Sequence, residues 1–270
     1  MSDAIPGLQF AQAQLATGVR LSYAECGDQN GPTVLLLHGY TDSWFSFSRL
    51  LPLLAPELRL IAPDQRGHGD SERPVSGYSM AHYAADALAL LDVLGQHEAI
   101  VVGHSMGSFI AQAIALAAPE RVRGLVLIGS ATTARNPGVL GLRDAVAELS
   151  DPVPEAFARE FQASTIHHPV PAPFLDRVVA ESLKLPARVW QAALDGLLDA
   201  DQAAQLGQIR APALILWGDQ DSVFPREEQD LLAAALPAAR LEIYSDTGHG
   251  LHWERPAQCA KDVLEFIRNA

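Results

Sequence analysis

A chain of 270 residues with 49% hydrophobic and 19% charged side chains can bury one large core and carry an inserted subdomain on it. Its formal net charge of -13 argues against a nucleic acid partner, since a phosphate backbone needs concentrated Lys and Arg, and no stretch offers the roughly 18 uninterrupted apolar residues of a membrane span. The start, Met1 to Gly7, has no basic residues followed by an apolar run, and Cys26 and Cys259 lack metal-type spacing, so the expectation is a cytoplasmic globular protein, monomer or homodimer, with two reduced thiols.

In chain order, Gln9 to Leu15 and Arg20 to Glu25 alternate apolar and polar residues around Thr17-Gly18, which predicts an opening hairpin. Thr33 to Leu37 is an apolar run, as in a strand covered on both faces, and leads into His38-Gly39-Tyr40-Thr41-Asp42. A helix is expected over Trp44 to Leu54, a buried strand over Leu58 to Ala62, and a polar glycine-rich loop over Asp64 to Ser71. Ser79 is placed to cap a helix from Met80 to Leu94, with Ala84, Leu88 and Leu91 on one face and Gly95 ending it. A β-branched run, Ile100 to Val102, then enters Gly103-His104-Ser105-Met106-Gly107, and an alanine-rich helix follows through Phe109 to Ala118.

Gly124 to Ile128 predicts another strand, after which the alternation of strand and helix stops. From Thr132 to Leu206 there are only short helical stretches separated by Pro152, Pro154, Pro169, Pro171, Pro173 and Pro186. This pattern predicts a helical cap, residues 132–206, inserted into a core domain made of 1–131 and 207–270. Ala213 to Trp217 resumes the sheet, Arg226 to Leu236 is a helix, Leu241 to Tyr244 a last strand, and Pro256 to Arg268 a closing helix with proline in its first turn. Alternation of this kind gives an α/β fold whose mostly parallel sheet is covered by helices on both faces, with ligands at the carboxyl ends of the strands.

Gly-x-Ser-x-Gly between a buried strand and a helix places Ser105 on a sharp turn, its hydroxyl pushed into a cleft. A serine nucleophile needs a base, because a free hydroxyl is almost never ionised at neutral pH. Of nine histidines, His249 lies in a glycine-flanked loop after a late strand, with His252 as its rival. His38 and His104 read as supporting or packing residues, and the adjacent His167-His168 as exposed loop residues. The acid that orients the base is sought in Gly218-Asp219-Gln220-Asp221, where Asp221 is preferred and Asp219 reads as a turn residue. No histidine and aspartate cluster with short ligand spacing appears, so neither a metal nor another cofactor is expected.

The order Ser105, Asp221, His249, together with His38-Gly39-Tyr40, Asp64-Gln65-Arg66-Gly67-His68-Gly69 and Gly248-His249-Gly250, resembles an enzyme of the α/β-hydrolase fold over essentially the whole chain. The resemblance favours Asp221 and His249 over their neighbours and implies an oxyanion hole from the backbone amides of Tyr40 and Met106. Met106 opens a helix, where amides are free and the dipole favours negative charge. Cofactor-free haloperoxidases look similar around His38-Gly39-Tyr40 and Ser105-Met106, whereas the dehalogenases and epoxide hydrolases of the fold place an aspartate where Ser105 stands.

These residues predict acyl transfer to water on a carboxylic ester or lactone, with acyl-homoserine lactones as one candidate substrate. Trp44, Phe45, Trp190, Phe224 and Leu251 are the expected pocket residues, with Phe47 and Met106 as further bulky candidates. Perhydrolysis and carbon-carbon bond hydrolysis are the rival reactions. A small-molecule receptor that kept the fold and lost turnover is the alternative of another class.

Overall fold

The computed structural model describes residues 5–269, so the first four residues of the stretch searched for a leader lie outside them. Eight strands form one sheet in the order β1-β2-β4-β3-β5-β6-β7-β8: β1 Gln9–Gln14, β2 Arg20–Gly27, β3 Thr33–Leu37, β4 Arg59–Pro63, β5 Ala99–His104, β6 Val122–Ile128, β7 Ala213–Gly218 and β8 Ala239–Tyr244. The opening hairpin pairs β1 with β2, β2 runs antiparallel to β4, and every pairing from β4 onward to β8 is parallel.

The alternation of side chains along each strand divides the core in two. Leu35, Leu37, Val101, Leu125, Leu127 and Ile215 face a layer built by α2 (Met80–Val93), α3 (Met106–Ala117) and α8 (Arg226–Ala235). Val34, Leu36, Ile100, Val102, Val126 and Leu216 face the opposite layer, built by α1 (Leu51–Leu54), α9 (Leu251–Glu254) and α10 (Pro256–Asn269). Central strands must satisfy both layers, which is why they are apolar throughout; β8 at the sheet edge is only partly covered.

Between β6 and β7 come α4 (Pro137–Ala147), α5 (Glu155–Ser164), α6 (Ala172–Ser182) and α7 (Ala187–Leu198), with no strand among them. Each begins at a proline in its cap or first turn, where a missing amide costs nothing. Their apolar faces, including Val139, Ala158, Val179, Trp190 and Leu194, join the same core layer as α2 and α3.

Some element expectations shift. The helix expected over Trp44 to Leu54 is a 3-10 turn, Trp44–Phe47, followed by the four-residue α1. Pro52 has no amide to continue the ladder, and Ser43 Oγ and Asp64 Oδ1 instead accept from the Phe45 and Trp44 amides at 3.2 and 2.9 Å. Ser79 occupies the cap position of α2, but its hydroxyl meets His82 Nδ1 at 2.7 Å instead of a helix amide. Cys26 and Cys259 are both buried and free. No helix among the described residues is long and apolar enough to cross a membrane.

Candidate functional site

Between Ala99 and Ala115, Ser105 is the one residue that is not buried. It joins β5 to α3 with φ 51° and ψ -121°, a backbone that a side chain with Cβ rarely adopts. The strain is held by pairing: the Ser105 amide donates to the Ile128 carbonyl at 2.9 Å, and the Ser108 amide and hydroxyl donate to the Ser105 carbonyl at 2.8 and 2.6 Å. The motif's glycines are required by contact. A Cβ on Gly103 would sit 2.2 Å from the Gly107 carbonyl oxygen, and one on Gly107 would sit 2.0 Å from that of Leu37. Neither the Met106 amide, at the first position of α3, nor the Tyr40 amide, after β3, has an acceptor among the described residues.

His249 lies after β8, and its Nδ1 is 2.8 Å from Asp221 Oδ2; their side chains are 2% and 0% exposed. The other carboxylate oxygen of Asp221 accepts from the Val223 and Phe224 amides at 2.7 and 2.9 Å, which fixes the carboxylate plane. Gly129 (φ +53°) opens space for the ring: a Cβ there would lie 2.9 Å from His249 Cε1 and Nδ1. Asp219 faces elsewhere, accepting from the Asp246 amide at 2.7 Å. The rival His252 is sealed from solvent, with Nε2 against Ser46 Oγ at 3.2 Å.

Ser105 and His249 both line a cavity of about 300 Å³. Its walls come from α4, α5 and α7, through Val139, Leu142, Phe161, Leu194 and Leu197, and from Phe224. Asp42, His104 and Gln162 supply buried polar atoms, and no Lys or Arg side chain lines it among the described residues. Gln162 Nε2 donates to Asp42 Oδ1 at 3.0 Å and to Ser182 Oγ at 2.9 Å, so one amide on α5 ties α6 to the loop after β3.

Burial governs the charges here. Loss of solvent, reinforced by His252 and His249, holds the His104 imidazole well below its ordinary range. It takes His252 down to about 3 and pushes the Asp42 carboxyl up to about 7 against the hydrogen bonds from Gln162 and Ser46. The His104 ring is 5.0 Å from that of His249. Being neutral, it does not oppose a positive charge forming there.

Of the aromatic and bulky residues expected at the pocket, Phe224 lines the cavity and Trp44, Phe45, Trp190 and Leu251 do not. Trp190 lies behind Tyr40, whose ring meets it edge-on at 5.6 Å and whose hydroxyl donates to its carbonyl at 2.7 Å. Phe45 stacks on Phe174 at 5.4 Å, and Trp44 packs edge-on against Phe10 at 5.0 Å. Leu251 and Phe47 belong to the layer on the opposite face, and Met106 is fully buried at the start of α3. Asp42, Phe161, Gln162 and Trp253 were not signalled by the sequence, because a single side chain gives no local sign of which loop or helix it will meet. Likewise, spacing along the chain does not find His167, His168 and Asp246, which the fold gathers at the surface.

The sequence pattern that defines the alpha/beta hydrolase fold matches residues 32–256. The chain is 31% identical over 265 residues to a 2-hydroxy-6-oxononadienedioate/2-hydroxy-6-oxononatrienedioate hydrolase of Pseudomonas putida, covering 93% of this chain and 92% of that one. It is 30% identical to a 2-hydroxymuconate semialdehyde hydrolase of a Pseudomonas species, covering 95% and 93%. Among solved structures, a thermophilic esterase from Thermogutta terrifontis superposes with a TM-score of 0.85 at 26% identity, covering 97% of this chain and 98% of that one.

Proposed function

The chain belongs to the α/β-hydrolase fold family, and from that premise we propose that it is a serine hydrolase of neutral carboxylic esters or lactones. The observation that carries this reading is Ser105 on its strained turn at the same cavity as a His249 held 2.8 Å from Asp221. Ser105 Oγ attacks the carbonyl carbon while His249 Nε2 takes its proton. The amides of Tyr40 and Met106 donate to the resulting oxyanion, each worth about 10² to 10³ in rate where such donors have been removed. The tetrahedral species collapses, the leaving alkoxide takes the proton from His249, and the acyl group stays on Ser105. Water, deprotonated by His249, then releases the acid. Asp221 fixes the tautomer and stabilises the imidazolium.

In this reading the 132–206 insertion is a cap that shapes the acyl site. A cavity walled by Leu142, Phe161, Leu194 and Leu197 suits an apolar acyl chain, acyl-homoserine lactones among the candidates. A soluble cytoplasmic enzyme, active as monomer or homodimer without a cofactor, completes the proposal.

Carbon-carbon bond hydrolysis is the second reading, favoured by relatives named for that activity on a dienedioate. The lining of this cavity speaks against such a dianion, since no lysine or arginine among the described residues is there to pair with its carboxylates. The deciding experiment follows acid release by the native protein and Ser105→Ala on short and long esters, acyl lactones and a 2-hydroxy-6-oxo-dienoate. Release from neutral substrates that is lost in Ser105→Ala supports the proposal. Preference for the dienoate transfers it to the second reading. No release from any member refutes ester hydrolysis and leaves perhydrolysis or a receptor.

A further inference from the structure

The connection between α5 and α6 meets the loop leading to His249 through three side chains that the acyl-transfer chemistry does not use. His167 Nε2 lies 3.1 Å from Asp246 Oδ1, and His168 Nε2 lies 2.7 Å from Asp246 Oδ2. The two rings stand nearly perpendicular with centroids 4.7 Å apart, and one ligating atom from each of the three residues lies within 4.8 Å of the other two.

The backbone behind them is pinned. Glu254 accepts from the amides of His167, His168 and Gly248 at 3.1, 2.9 and 2.9 Å, and Asp219 accepts from the amide of Asp246 at 2.7 Å. Two imidazole nitrogens and a carboxylate oxygen match Zn²⁺ and its transition-metal neighbours, whereas Mg²⁺ and Ca²⁺ take oxygen ligands. With metal-ligand bonds of about 2.0 to 2.2 Å, a tetrahedral ion holds its ligand atoms about 3.3 to 3.6 Å apart. The two imidazole-carboxylate separations, 3.1 and 2.7 Å, open to that spacing. The ligating nitrogens of the two rings, within 4.8 Å of each other, reach it by side-chain rotation, for which all three side chains are exposed enough. The Arg255 guanidinium, 3.9 Å from Asp246 Oδ2, opposes a cation, but its long bonds to the Asp246 carbonyl and Thr247 Oγ1, 3.3 and 3.5 Å, and its 43% exposure let it turn into solvent. The carboxylates of Asp219 and Glu254 offset it.

We propose that His167, His168 and Asp246 form a surface site for a divalent transition-metal ion, best suited to Zn²⁺, that latches the α5–α6 connection onto the loop carrying His249. Solvent water fills the remaining positions on the ion. Ser164 and Thr165 line the cavity, and the Gly250 amide donates to the Thr165 carbonyl at 2.8 Å, so the latch braces one cavity wall without touching the reacting atoms.

The test titrates EDTA-stripped, dialysed full-length protein with zinc chloride alone by calorimetry, with magnesium chloride in parallel, and follows thermal melting with and without Zn²⁺. The expected result is saturable uptake of one Zn²⁺ per chain, no comparable Mg²⁺ binding, and a melting temperature that rises with Zn²⁺ and returns on adding EDTA. His167→Gln/His168→Gln removes the rise and weakens Zn²⁺ binding by more than about 100-fold, as loss of ligands exceeds the 10- to 100-fold effect typical of outer partners. Metal-free, this variant melts like the native protein. Asp246→Asn gives the same loss of binding; if it fails to fold, the histidine variant decides alone. Absence of saturable Zn²⁺ binding, or binding unchanged in the histidine variant, overturns the proposal and leaves two imidazole-carboxylate pairs.

Discussion

Asp42→Asn tests the charge state of the cavity. The carboxyl is 3% exposed, and burial pushes it up to about 7 from an ordinary 3.8. Between those values the unfolded chain has released the proton while the folded protein still holds it. The folded state therefore binds more protons, and stability at this position falls as pH rises from about 4 to about 7. Each pH unit is worth about 1.4 kcal/mol, so the gap of about three units sets a ceiling near ~4 kcal/mol. Asparagine cannot ionise. Its carbonyl still accepts from Gln162, and its amide meets Ser46 Oγ, the partner that lies 3.1 Å from Asp42 Oδ2. Asp64, raised by burial to about 6, declines in the same direction in both proteins and cancels in the difference. Urea unfolding of the two proteins from pH about 4 to about 8 is expected to show the asparagine protein gaining on the native one by up to ~4 kcal/mol across the range. A difference that stays constant with pH would mean that Asp42 ionises as an ordinary surface carboxyl, and would refute the argument.

Asp221→Asn is expected to lower kcat by about 10⁴, since an amide holds the wrong imidazole tautomer, whereas Asp219→Asn leaves turnover within about tenfold; steady-state rates on the best ester decide. Ser105→Gly should abolish hydrolysis yet raise stability by about 1 kcal/mol in chemical denaturation, because φ 51° is no strain for glycine. Gly129→Ala drives a methyl to 2.9 Å from the His249 ring. It should cost about 1 to 3 kcal/mol and reduce kcat more than it changes KM; native-like turnover would show that His249 does not need this space. Arg66→Met strands Asp86, which the guanidinium holds at 2.6 and 2.7 Å with side chains 6% and 3% exposed. A loss of about 3 to 5 kcal/mol is expected, and adding Asp86→Leu should recover most of it.

Local signals carried much of this molecule. The apolar runs at Thr33–Leu37, Ala99–His104 and Ala213–Gly218 mark central strands because both layers of the core demand apolar side chains. Gly103 and Gly107 were readable, and Ser105 between them, because backbone atoms approach too closely for a Cβ on either side of the turn, which restricts both flanking positions to glycine. Prolines marked the starts of α4 to α7, since a proline fits the first turn of a helix and cannot continue one. Pro52 carried the same message inside Trp44 to Leu54, where the helical pattern was read through it.

Composition of the cavity was beyond local reading. An apolar residue type states that a side chain is covered but not by what: Trp190 is covered by Tyr40, and Phe45 by Phe174. Asp42 and Gln162 lie 120 positions apart and meet because α5 docks over the loop after β3. The pairing of His168 with Asp246, 78 positions away, has the same origin. Sequence periodicity fixes which elements form and which face each buries, because those depend on neighbours along the chain. The docking of α4 to α7 against the strand ends decides which polar groups share the cavity and its rim, and therefore which charges and ligands it accepts.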